Sequence, residues 1–181
     1  MKKIAALGAA AALALGAGAA VRLWAPLEGA LWVRSARGGI ERGEILAAFG
    51  AERGSGFELV YRHSVNKGLV TDSYIIGGDG ALTLTETTFE SFGAGMSDGL
   101  DGDGALSIGP AGVTIKGMNR RVGTLLLAVG TIAEHRLRVS GKEIGLADIA
   151  GAGNSVRIGF GNVSLARLGR ISNGSVERKG K

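Results

Sequence analysis

The chain has 181 residues, 33 of them glycine and none of them cysteine, with a formal net charge of +5. This length suits one domain of ordinary size, and the lack of cysteine excludes disulfides, thiolate metal sites and a lipid-modified N-terminal cysteine. Residues 20–160 hold fourteen basic and fifteen acidic residues. They therefore lack the basic excess of a nucleic-acid-binding domain, and no nucleic-acid partner is expected.

The first 26 residues are typical of a signal peptide or an uncleaved membrane anchor. Lys2 and Lys3 precede an apolar run from residue 4 to 15, and Ala17-Gly18-Ala19 is a small-residue cleavage pattern. Residues 4–24 are also just long enough to cross a membrane as a helix. Both alternatives predict an exported chain, either in the periplasm or anchored in the inner membrane and facing the periplasm.

From residue 27 to about 160 the apolar residues recur with a period of two. This pattern predicts an all-β domain, an antiparallel β-sandwich or a barrel-like fold. Hairpins are expected at Gly77-Gly78-Asp79-Gly80 and at Gly109-Pro110-Ala111-Gly112, and a turn is expected at Ser140-Gly141-Lys142. Short connections of this kind join antiparallel neighbours.

Two apolar segments need separate interpretation. The sequence EILAAFGAE, near residue 44, is read as a short strand or a single turn, and VGTLLLAVG is read as a central strand.

Residues 161–181 carry five basic residues and one acidic residue. They are predicted to form a basic, flexible tail, with a weak contact to anionic lipid as the alternative.

Three ionisable side chains share the apolar faces of predicted strands: His63, Glu86 and His135. Because burying a lone ionisable group costs several kcal/mol, we expect them to approach one another inside the sandwich. The alternative is three separate residues at strand ends. Two histidines and a carboxylate could hold zinc or iron, but no close His-x-x-x-His spacing supports a metal site, and no cofactor is predicted.

The stretch TETTFESFGAGMSDG, residues 85–99, lacks the Gly-Lys-Ser/Thr of a phosphate loop and the Gly-x-Ser-x-Gly of a nucleophile elbow. The aspartates at 98, 101 and 103 do not fit the spacing of an EF-hand. Gly93 and Gly95 are therefore predicted to let the chain turn sharply at a strand exit, with Phe89 and Phe92 anchoring it to the core.

Several segments together resemble the bacterial family called domain of unknown function 1850. They are YRHSV, DSYII, LTLTETTFESFGAG, MNRRVGTLLLAVG, EHRL and GLADIAG, in that order, within about residues 40–160. The family has no established activity. Its members are small exported or membrane-anchored proteins, often encoded beside tripartite ATP-independent periplasmic (TRAP) transporters of the TAXI type.

The resemblance implies a set of binding residues in this sequence. They are His63, Ser64, Glu86, Ser91, Phe92, Gly93, Ala94, Gly95, Arg120 and His135. The sequence departs from the family pattern after Gly95, where Met96 and Ser97 replace Leu-Pro. No catalytic residue is assigned.

The implied function is that of an accessory protein of a TAXI-type TRAP transporter. It would bind a membrane or solute-binding subunit of the transporter, or a small anionic solute, and would also contact the membrane if the leader is uncleaved. One alternative is an envelope metal- or His-dependent hydrolase that uses His63, Glu86 and His135. A further alternative is a structural envelope domain.

Overall fold

The computed structural model describes residues 26–37, 43–65, 67–90, 105–110 and 112–164. In these residues the chain forms eleven strands and one short helix. The strands are β1 (Pro26–Ser35), β2 (Ile45–Gly50), β3 (Gly56–Arg62), β4 (Leu69–Ile76), β5 (Leu82–Phe89), β6 (Ala105–Gly109), β7 (Gly112–Gly123), β8 (Leu125–Ala128), β9 (Arg136–Val139), β10 (Lys142–Gly145) and β11 (Ser155–Ser164). The helix α1 (Leu146–Ala150) lies between β10 and β11.

The strands form two antiparallel sheets. The small sheet has the strand order β2-β1-β11-β8, and the large sheet has the order β10-β9-β3-β4-β5-β7-β6. Side chains from both sheets meet in one core, in which Leu31 and Ile158 of the small sheet and Leu59, Leu82 and Leu137 of the large sheet are buried. The predicted antiparallel β-sandwich is thus confirmed. Each such side chain contributes roughly 1.5–3 kcal/mol through burial.

The predicted turns are present where glycine makes them possible. Gly80 has φ +84° between β4 and β5, and Gly112 has φ +113° at the start of β7, where a Cβ would collide with the carbonyl oxygen of Phe89. Ser140 and Gly141 both have positive φ, 49° and 73°, and connect β9 to β10. This two-residue loop matches the twist of the strands that it joins.

The expectation of a central strand in VGTLLLAVG was wrong. β8 lies at the edge of the small sheet and pairs with β11. Leu125 is buried against the core, whereas Leu126 is 62% exposed. A continuous apolar run therefore does not distinguish an edge strand from a central one, because the position of a strand in its sheet depends on its pairing and not on its own composition.

Three further elements can be compared with the sequence-based expectation: β2, α1 and the end of β11. EILAAFGAE forms the strand β2, as one of the two interpretations predicted. The helix α1 was not predicted, because five residues are too few to establish a period of 3.6. β11 continues to Ser164, beyond the expected boundary at residue 160.

The predicted leader, apart from its last residue Pro26, and all but the first residues of the predicted tail lie outside the described residues. Within the described ranges, no helix is both long enough and apolar enough to cross a membrane.

Candidate functional site

A carboxylate lies on the inner face of the large sheet. In β4 the residues Val70, Tyr74 and Ile76 are buried, and Asp72 shares their face because alternate strand residues point the same way. The strand register places Asp72 between Leu59 of β3 and Thr87 of β5. Three adjacent strands therefore deliver their side chains to one point.

Two hydroxyl groups hold this carboxylate. Thr87 Oγ1 donates a hydrogen bond of 2.8 Å to Asp72 Oδ1, and Tyr61 Oη donates one of 3.3 Å to Asp72 Oδ2. Burial raises the pKa of Asp72, and the two hydrogen bonds partly oppose that rise. Burial, followed by the nearby charge of Asp72, also raises the pKa of Tyr61, so its hydroxyl stays protonated and can donate.

His135, the residue just before β9, borders this network. Its ring centroid is 5.5 Å from that of Tyr61, with the two planes tilted by 31°. Burial lowers the pKa of His135, which favours the neutral ring. Its Nδ1 is buried and has no hydrogen-bond partner among the described residues. A water or a bound molecule could add a hydrogen bond here.

Glu86 does not join His135 inside the sandwich. β5 has one extra residue between Leu84 and Glu86 relative to β4, and such a bulge reverses the alternation of side chains. Thr87 therefore lies on the core face, and Glu86 lies on the outer face, where its Oε2 is 3.9 Å from Lys116 Nζ. The prediction that Glu86 points inward was wrong.

His63 lies beyond the strand to which its alternation was assigned. β3 ends at Arg62, and the backbone N–H of His63 donates to the carbonyl of Gly68 across the β3–β4 turn, at 2.9 Å. Its Nδ1 accepts a hydrogen bond of 3.3 Å from the N–H of Val65, and Ser64 beside it is exposed. The predicted inward cluster of His63, Glu86 and His135 was therefore wrong.

The remaining predicted site residues divide into two groups. Arg120 is exposed on β7, opposite Leu84. Burial, followed by the nearby charges of Asp72 and Tyr61, raises the pKa of Tyr74, and the charge of Arg120 partly opposes that rise. The segment Ser91, Phe92, Gly93, Ala94 and Gly95 lies outside the described residues, so its binding role and the conformation of its glycines stay predictions.

The site consists of one buried acceptor, the Asp72 carboxylate, and two donors, the hydroxyl groups of Tyr61 and Thr87. In the described ranges, no three His, Asp or Glu side chains are grouped so that they could hold a metal ion. Sequence reasoning missed Asp72 and Thr87. The signal for Asp72 was present in LVTDSYII, where it alternates with Val70, Tyr74 and Ile76, whereas Thr87 was hidden by the bulge.

The fold and this network define a class of protein, an antiparallel β-sandwich whose larger sheet buries a Tyr-Asp-Thr hydrogen-bond network. Residues 57–146 match the family model described as domain of unknown function (DUF1850). The chain belongs to this family, and the matched segment covers nearly the whole large sheet, including Tyr61, Asp72, Thr87 and His135. No curated protein and no solved structure matches the chain.

Proposed function

We propose that the chain is an exported accessory protein of a TAXI-type TRAP transporter and acts by binding one of the transporter's subunits. Membership of the family supports the proposal, since the resemblance implies this setting for its members. The observation that carries it is the exposed edge of the large sheet at β6.

β6 is the last strand of the large sheet, and within the described residues it pairs only with β7. All five of its residues are exposed, including Leu106 at 49% and Ile108 at 76%. Its sequence, ALSIG, contains none of the charged residues that usually protect an edge strand from pairing. An extended segment of a partner can add to such an edge through backbone hydrogen bonds.

The two exposed apolar side chains extend the inner face of the sheet. Leu106 pairs in register with Ile115, and Ile108 pairs with Val113. Both partners on β7 are buried. A strand added beside β6 would therefore place its own apolar side chains next to Leu106 and Ile108, and this contact would give the pairing its register.

The other functions receive less support from the geometry. A small anionic solute at the buried network would be repelled by the Asp72 carboxylate. A hydrolase that uses His63, Glu86 and His135 would need all three side chains at one point. His63 lies in a turn, Glu86 lies on the outer face of the large sheet, and His135 lies inside the sandwich. Subunit binding requires no such rearrangement.

The test is affinity purification of the tagged full chain from solubilised membranes of its own bacterium. We expect subunits of a TAXI-type TRAP transporter to copurify with the chain. The change Ile108→Lys should lower their recovery by about tenfold or more, because burying an isoleucine is worth roughly 1.5–3 kcal/mol. Ile75→Lys is the control, since Ile75 is 41% exposed but lies on β4, away from the edge.

The outcomes separate clearly. Equal recovery with Ile108→Lys and Ile75→Lys would reject the β6 edge as the binding surface. An eluate of the unchanged chain without any transporter subunit would reject the proposed function.

A further inference from the structure

A cleft opens at one end of the sandwich, where the small sheet meets the hairpin between β4 and β5. Phe160 lies at its base, on the same face of β11 as the buried Ile158, and packs against the shared core. The loop that follows β2 and the β4–β5 hairpin form its walls. The cleft has a volume of about 710 Å³, which lies within the range of small-molecule sites.

Two glycines leave room for the ring of Phe160 at the base of the cleft. Gly29 on β1 has φ +88°, and a Cβ there would lie 2.8 Å from the carbonyl oxygen of Ala51 and 3.2 Å from Cζ of the ring. Gly80 in the hairpin has φ +84°, and a Cβ there would lie 3.2 Å from Cδ1 of the same ring. Phe160 is only partly buried, so the ring offers the cleft an aromatic surface.

The walls of the cleft carry both acceptors and donors of hydrogen bonds. The acceptors are the carboxylates of Glu52 and Asp79, and the donors are the guanidinium group of Arg53 and the side-chain amide of Asn162. All four side chains are exposed. The guanidinium carbon of Arg53 lies 5.7 Å from the centroid of the Phe160 ring, so a donor is placed directly beside the aromatic surface.

The carboxylate of Asp79 is fixed in place. Its Oδ1 accepts a hydrogen bond of 2.9 Å from the N–H of Ala81, and its Oδ2 forms an ion pair with Arg121. The hydrogen bond from Ala81, and then the charge of Arg121, lower the pKa of Asp79, so the side chain stays ionised. Because a carboxylate oxygen has two lone pairs, each oxygen can still accept a hydrogen bond from a ligand.

The charges around the cleft limit the class of ligand. An anion would approach the carboxylates of Glu52 and Asp79, and a cation would approach the guanidinium group of Arg53, so neither is favoured. A wholly apolar ligand would cover polar side chains without satisfying them. A neutral molecule with one apolar face and several hydroxyl groups meets all of these conditions.

We propose that this cleft binds a neutral saccharide. The C–H face of a sugar ring packs on Phe160, while its hydroxyl groups donate to Glu52 and Asp79 and accept from Arg53 and Asn162. The site goes beyond the proposed function, because it requires no transporter subunit. It is also separate from the β6 edge, since β6 pairs with residues 112–116 at one end of β7.

The test measures sugar binding to the full chain in a detergent without a sugar headgroup. Saturation-transfer NMR titrations use three neutral probes, glucose, maltotriose and diacetylchitobiose, and two charged ones, glucose 6-phosphate and glucosamine. We expect at least one neutral probe to bind with a Kd of about 1 mM or below. The two charged probes should bind no more tightly than glucose, because each meets a like charge in the cleft.

Two variants test which side chains hold the sugar. Glu52→Ala removes a charged acceptor and should weaken binding about tenfold or more, and Asn162→Ala should weaken it about two- to tenfold. Asn119→Ala is the matched control, since Asn119 is exposed on β7 and does not line the cleft. No binding of any neutral probe, tighter binding of a charged probe than of glucose, or equal affinities of the Asn162→Ala and Asn119→Ala variants would overturn the proposal.

Discussion

The two sheets share one core but present different outer faces. On the large sheet, acids and bases alternate and form ion pairs, as where Arg138 contacts both Glu58 and Glu143 and Arg62 contacts Glu134. The small sheet presents Trp32, Leu126 and two arginines. One fold thus carries two outer faces of different composition, and the face with the paired charges is that of the large sheet.

The family match divides the molecule along nearly the same line. Residues 57–146 include the strands of the large sheet, whereas β1, β2 and β11 of the small sheet fall outside the match. The buried polar network also belongs to the large sheet alone. The small sheet nevertheless supplies much of the shared core, so the two sheets should not be stable separately.

The largest effect is expected for the shared core. Leu137→Ala in the large sheet and Ile158→Ala in the small sheet should each lower the free energy of unfolding by about 2–5 kcal/mol, because both side chains are fully buried. Each variant should still unfold in a single transition when denaturation is followed by circular dichroism and fluorescence. Separate transitions for the two sheets would contradict a common core.

The buried network should come next. Thr87→Val keeps the shape of the side chain but removes the donor to Asp72 Oδ1, and it should cost about 1–3 kcal/mol. Thr83→Val on the outer face of β5 is the control and should change stability by less than about 0.5 kcal/mol. Equal effects would show that the hydrogen bond to Asp72 adds nothing.

The charge of Asp72 can be tested through pH. Burial raises its pKa in the folded state, so the folded chain binds more protons than the unfolded chain just above the ordinary carboxyl pKa. The wild type should therefore lose stability as the pH rises through this range. Asp72→Asn cannot titrate, and its stability relative to wild type should increase with pH in denaturant titrations. A constant difference would place the carboxylate in a well-solvated site, and a falling difference would mean that its hydrogen bonds from Thr87 and Tyr61 outweigh the effect of burial.

Much of the fold could be predicted from the sequence because its signals are local. The period of two identified the strands, and glycine-rich turns identified the hairpins at Gly80 and Gly112. The same reasoning placed His135 on an inner face. These features depend on residues only a few positions apart, and the structure confirms them.

The site could not be predicted because it depends on strand pairing. The bulge after Leu84 moves Thr87 inward and Glu86 outward, and nothing in the sequence TLTETTF marks it. Asp72 meets Tyr61 and Thr87 only through the register of three strands. Whether an apolar strand such as β8 is central or at an edge is likewise decided by its neighbours.

A glycine substitution tests the flat placement of Trp32 on the small sheet. Gly159→Ala would place a methyl group against the indole, and it should cost about 1–3 kcal/mol by overpacking and alter tryptophan fluorescence. Gly50→Ala in the same sheet is the control, since a Cβ there meets no atom within 4 Å. Adding Trp32→Phe to Gly159→Ala should recover part of the loss. Additive losses would indicate that the two residues do not touch.

The smallest effects should have opposite signs on the two outer faces. Arg62 Nε lies 3.0 Å from Glu134 Oε2, so Arg62→Gln should lower the free energy of unfolding by about 0.2–1 kcal/mol. Arg157 faces Arg34, and like charges in direct cross-strand pairs destabilise a sheet by a similar amount. Arg157→Gln should therefore raise the free energy of unfolding. Both changes should shrink in high salt, because screening weakens attraction and repulsion alike. Denaturant titrations at low and high salt measure both. A loss of stability with Arg157→Gln equal to that with Arg62→Gln would mean that other contacts of Arg157 outweigh its repulsion from Arg34.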